Sequence, residues 1–110
     1  MQKKLILALL LSGILLSVNA GTIKVVTTTT DMKSIAELIG GVKVSVSSIA
    51  TGYQNPHFVD PKPSYIISLT KADLFVTVGL DPETGWSPQL LSSPRNNKIQ
   101  KGSAGYVDAS

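Results

Sequence analysis

Residues 21–110 predict an α/β fold in which a parallel four-stranded sheet is flanked by helices. Two observations carry that prediction. Strand and helix signals alternate along the chain, the order that builds layered α/β folds with right-handed crossovers. One strand signal, LFVTV at 74–78, is almost continuously apolar, the pattern of a strand covered on both faces as in a parallel sheet.

Each element has its own signature. Residues 23–29, IKVVTTT, are rich in β-branched side chains and read as a strand. Asp31 is then a suitable N-cap. Met32, Ile35, Ala36 and Ile39 follow at the spacing of one helix face. Gly40 and Gly41 stop that helix, as glycines at a C-terminus do. Residues 42–50, VKVSVSSIA, alternate apolar and polar, which predicts a second strand with one face partly exposed. The stretch TGYQNPHFVDPK has the glycine, asparagine and prolines of a loop. Pro63 suits the first turn of the next helix, where a missing N–H costs nothing. That helix runs to about Ala72, with Tyr65, Ile66 and Leu69 on its apolar side. Residues 74–78 follow as the third strand, 86–93 as a short helix, and 105–109 as the start of a fourth strand. In such sheets ligands bind beyond the carboxyl ends of the strands, and the loop at 51–62 lies on that rim.

The first twenty residues stand apart. MQKK gives a basic start, LILALLLSGILL an apolar run, and SVNA a small-residue ending. This is the pattern of a secretory signal peptide over residues 1–20, cut after Ala20. This run of twelve residues, interrupted by Ser12 and Gly13, is too short to span a bilayer comfortably, and no other stretch approaches membrane length, so the mature part is expected to be soluble. With Lys3 and Lys4 set aside, eight basic side chains face seven acidic ones. The basic balance of the whole chain is thus partly an export feature, and no clustered basic face points to nucleic acid.

The chain has no cysteine, which excludes a disulfide framework, a thiolate metal site and a thiol nucleophile. GxGxxG, GxxxxGK[ST] and GxSxG are absent, so nucleotide binding and α/β-hydrolase chemistry lack their usual signals. Asp81 and Glu83 read as ordinary turn chemistry after a strand. Trp86 reads as packing an outer helix against the sheet, although a tryptophan or Tyr53 near a rim can also shield a ligand. The helix opening at Thr27–Asp31 offers N–H groups to an anion, which Asp31 is expected to satisfy itself.

His57 is the sole histidine, in Asn55-Pro56-His57-Phe58-Val59-Asp60-Pro61-Lys62-Pro63. Imidazole is the commonest neutral ligand for a divalent transition metal. Flanking prolines stiffen the loop that carries it. On composition alone, a lone loop histidine is more often a surface residue than a ligand, because zinc sites need three or four protein donors. Asp60 is a conceivable second donor, although a turn or cap role suits it better.

The basic-apolar leader, IKVVTTTTDMKSIAELIGG, the loop NPHFVDPKPS and then TKADLFVTVGLDPETGW together resemble the start of the zinc/manganese-type solute-binding proteins of bacterial ABC importers. The pattern His57, Pro61, Pro63 is the most specific part, supported by Lys71–Leu74, Gly79–Leu80 and Trp86. The resemblance implies two α/β lobes joined by a long helix, with a divalent transition metal in the cleft, zinc first and manganese second. It implies that His57 is the first metal ligand and that the others come from later sequence. Residues 21–110 then form an incomplete N-terminal α/β lobe, with the C-terminal lobe absent. Its expected role is to capture the metal in the periplasm, as a monomer, and deliver it to the membrane permease of the importer, with no enzymatic step. Many relatives begin with a lipid-carrying cysteine, and its absence here implies a free periplasmic protein. Two rival functions are an exported binding module for a non-metal solute on a similar scaffold, and a hydrolase with His57 as general base. The second lacks a nucleophile partner.

Overall fold

A computed structural model describes residues 21–110 apart from Tyr53 and Asp81. The leader expected over residues 1–20 lies outside that range, as do readings placed on those two positions. The elements run β1 (Ile23–Thr27), α1 (Thr30–Gly40), β2 (Val44–Ser48), α2 (Pro63–Lys71), β3 (Leu74–Thr77), α3 (Ser87–Ser92) and β4 (Tyr106–Asp108), with 3-10 turns at Gly41–Lys43 and Asn97–Ile99. The four strands form one parallel sheet in the order β2-β1-β3-β4. The chain leaves β1 towards β2 on one side and returns to lay β3 on the other, so the order reverses between β1 and β3.

Register divides the two faces of the sheet. Val26 lies beside Phe75, and Phe75 beside Tyr106, so these side chains share a face. That face carries the core: Val26 and Phe75 pack with Leu69 and Ala72 from α2 and its end, Leu90 and Leu91 from α3, and Ile99. Phe75 and Tyr106 stack at a tilt, centroids 5.9 Å apart. Pro63 stands in the first turn of α2, as its sequence predicts. The other end of α2 is closed by Asn96, whose amide donates to the carbonyls of Leu69 (2.9 Å) and Ala72 (2.8 Å). This satisfies carbonyls that a helix end leaves without partners.

The opposite face holds Val25, Val46 and Leu74 side by side, with α1 lying over β1 and β2. Here two expectations need correction. β3 is fully buried only at Phe75 and Thr77, while Leu74 and Val76 are half-buried. α1 has no buried residue at all; Met32 and Ala36 are half-buried, but Ile39 is 82% exposed. Periodicity identified which residues share a helix face, but among the described residues little lies over the far end of it. The helix cap also differs. Thr29, not Asp31, is the N-cap, accepting from the backbone N–H of Met32 at 3.4 Å. Asp31 sits in the first turn, where its charge favours the positive end of the helix dipole. Gly41, at φ 54°, ends α1 in the left-handed region that favours glycine.

The lower edge of β1 and β3 is tied by Asp73. Its carboxylate accepts from the backbone N–H of Lys24 (2.9 Å) and from Lys98 Nζ (3.3 Å), and its own N–H donates to the Lys24 carbonyl (2.8 Å). These bonds, the Lys24 N–H first, hold the Asp73 carboxyl below the usual carboxylate range.

Candidate metal centre

His57 stands at the carboxyl rim of the sheet, where its loop leaves β2. The chain first extends the pairing of β1 and β2: Ile49 N–H donates to the Thr27 carbonyl and Ala50 N–H to that of Thr28, both at 2.9 Å. Ile49 and Ala50 are buried, so the loop departs from a fixed base. It then turns sharply. Phe58 N–H donates to the Asn55 carbonyl at 3.0 Å, closing a four-residue turn with Asn55 first and Pro56 second. Asparagine and proline favour those places, because one bonds back to the backbone and the other has its φ pre-set.

Two contacts hold the turn against the body of the protein. Val59, just beyond it, is buried in the core. Trp86 is also buried in the core, and its indole Nε1–H donates to the Pro56 carbonyl at 2.7 Å. The packing expected for Trp86 is therefore present, joined by an anchoring role that composition did not reveal. His57 itself is exposed, with Phe58 beside it at 6.5 Å between ring centroids. A rigid backbone thus presents an accessible imidazole, the arrangement in which a ligand binds without first ordering its loop.

Glu83 lies in a turn, as its sequence predicts, but its side chain is also committed inward. It is 4% exposed. Its Oε1 accepts from Thr28 Oγ1 (2.6 Å), at the end of β1, and from Val78 N–H (2.7 Å), at the end of β3. These are the strands between which the order reverses, where α/β sheets ordinarily open a ligand crevice. A buried carboxylate stitches that crevice shut. The same residue begins the turn that delivers Trp86: Trp86 and Ser87 N–H both donate to its carbonyl, at 3.2 and 2.9 Å.

A cavity of about 380 Å³ opens at the ends of β3 and β4, with Thr77, Glu83, Tyr106 and Asp108 in its wall. His57 does not line it. Ser110 donates its hydroxyl (2.6 Å) and its N–H (2.9 Å) to Asp108 Oδ1 and lowers the Asp108 pKa, while burial raises that of Tyr106. Among the described residues, no three His, Cys, Asp or Glu side chains come together as a metal cluster. Asp60 is exposed and makes no hydrogen bond to His57 among those residues. His57 thus belongs to no such cluster among the described residues. Among the described residues, no helix is long and apolar enough to cross a membrane.

Known proteins are similar to this chain in sequence and in fold. Residues 25–109 match the model of the family described as zinc-uptake complex component A, periplasmic (ZnuA). A manganese ABC transporter substrate-binding lipoprotein, PsaA of Streptococcus pneumoniae, is 33% identical over 81 residues, 71% of this chain and 26% of that protein. The metal ABC transporter substrate-binding lipoprotein FimA of Streptococcus parasanguinis is 32% identical over 84 residues, 74% of this chain and 26% of that protein. A crystal structure of ZnuA superposes with a TM-score of 0.63 at 30% identity, covering 72% of this chain and 31% of the other. The chain thus spans about a quarter of the length of the curated relatives it matches. With nearly all of the parallel sheet, the loop after β2 and the turn that carries Trp86 inside the matched span, the chain belongs to the periplasmic zinc-uptake component A family.

Proposed function

We propose that this chain is the first α/β lobe of a periplasmic solute-binding component of an ABC importer, and that it captures a divalent transition metal for delivery to the membrane permease. Zinc is the first choice of cargo and manganese the second; relatives bearing each metal in their names support both. The observation that carries the reading is His57: an exposed imidazole on a turn anchored by Trp86 and Val59, at the rim where α/β sheets take their ligands. Imidazole suits zinc and manganese alike, and selectivity rests with the whole donor set. Zinc takes about four donors, so the remaining ones come from elsewhere than the described residues. The leader pattern at 1–20 supports export.

The test is an allele. In the host organism, His57→Ala should reproduce the growth defect of a gene deletion under zinc or manganese limitation, and excess of the limiting metal should relieve it. Normal growth of the His57→Ala strain under limitation for both metals would overturn the proposal and favour a non-metal solute.

A further inference from the structure

The turn that presents His57 also sets which ring nitrogen is free. Asn55 Oδ1 lies 3.0 Å from the backbone N of His57 and 3.0 Å from its ring Nδ1. A backbone N–H only donates, so the Asn55 side-chain atom facing it must be the amide oxygen and not the NH₂ group. That oxygen only accepts. Nδ1, meeting the same oxygen, must then carry the hydrogen. A neutral imidazole has one N–H, which leaves its lone pair on Nε2. Among the described residues, no protein group bonds to Nε2.

We propose that Asn55 is a positioning residue that locks His57 in the Nδ1–H tautomer, so that the free Nε2 lone pair faces outward as the metal donor. The second half rests on His57 being a ligand, as argued above; the lock itself does not. In water a free histidine side chain prefers its hydrogen on Nε2, so an unassisted ring would present the wrong nitrogen for much of the time. Ligating histidines commonly bind a partner through the other nitrogen, and loss of such a partner costs roughly 10–100-fold in metal affinity.

Because His57 is the sole histidine, ¹⁵N-histidine labelling of the full chain gives one ring to observe. Long-range ¹H–¹⁵N spectra of the metal-free protein, taken where the ring is neutral, should show Nδ1 protonated and Nε2 bare. Asn55→Ala should move the ring towards the Nε2–H form, and Asn55→Asp, which keeps the acceptor, should not. A wild-type ring protonated on Nε2 overturns the proposal, as does an Asn55→Ala spectrum identical to wild type. If Asn55→Ala fails to fold, the wild-type and Asn55→Asp spectra still decide. Titration with zinc chloride separates the two ideas. Zinc should shift Nε2 in the wild type, with apparent affinity about tenfold weaker in Asn55→Ala. If the lock is present but zinc leaves the ring unmoved, the metal reading of His57 falls and the Asn55 lock stands.

Discussion

Glu83 offers the sharpest stability test. Its Oε1 takes two bonds, from Thr28 Oγ1 and Val78 N–H, at 2.6 and 2.7 Å. Bonds to a charged acceptor are worth about 1.5–3 kcal/mol each, and a stranded buried donor costs about 1–3 kcal/mol. Glu83→Ala removes both bonds at once. Part of the loss is recoverable, because Val78 N lies 3.4 Å from Thr28 Oγ1 and the hydroxyl can turn to accept from it. A net destabilisation of about 3 kcal/mol follows, near the low end of the summed range. For a domain of this size each kcal/mol moves the melting point by roughly 4–8 °C, so Tm should fall by about 12 °C or more. Glu83→Gln keeps an oxygen in place and loses only the charge, and should cost about 1 kcal/mol. Thermal melts followed by circular dichroism, with urea unfolding to check that the slope is unchanged, measure both. An alanine variant within about 0.5 kcal/mol of wild type, the scatter of ordinary surface changes, would refute the reasoning. So would a glutamine variant as damaged as the alanine one, since charge rather than placement of the oxygen would then matter.

Three further outcomes follow from the packing. Trp86→Phe should cost about 1–3 kcal/mol for the lost bond to the Pro56 carbonyl, and hydrogen exchange should quicken at Phe58, whose N–H closes the turn. Gly105→Ala should destabilise strongly, because a Cβ there runs into the carbonyls of Lys98 and Asp73; chemical denaturation against wild type measures it. Asp73 has a folded-state pKa below its unfolded one, so its contribution to stability is present above the unfolded value, about 3.9, and disappears as pH falls through the depressed folded value. Asp73→Asn should therefore flatten the acid limb of the stability–pH curve below about pH 4–5, read by urea midpoints.

The layout of the sheet was legible because its signals are local. β-branched runs mark β1, Pro63 marks the start of α2, and alternation of the two element types dictates parallel pairing. The cap of α1 was less legible. Thr28, Thr29 and Thr30 all precede Asp31, and any hydroxyl or carboxylate among them can cap. The choice falls to Thr29 because Thr28 is committed inward, its hydroxyl to Glu83 and its N–H to the Val76 carbonyl. Glu83 itself was not legible, since its partner lies 55 positions away and its near neighbours Pro82 and Thr84 look like any turn. The same holds for the Trp86–Pro56 bond, which spans 30 positions. For the site, the spacing around His57 identified the residue, whereas its support came from contacts that only the fold assembles. Exposure of the α1 face was invisible for a different reason: periodicity reports what a helix is ready to bury, not what arrives to cover it.

The strand order has a consequence for how the molecule comes into being. β1 is the earliest strand in the chain and an interior one in the sheet. Its pairing with β2 needs only the α1 crossover, but its other edge stays open until β3 arrives, and β3 in turn waits for β4. Until then the open edge of β1 is a template for a foreign strand. Parallel pairings of this range also close slowly, since a long loop must be ordered before any contact rewards it. An interior first strand thus owes its second partner to residues 74–77, and shielding the β1 edge before they pair protects the chain against misassembly.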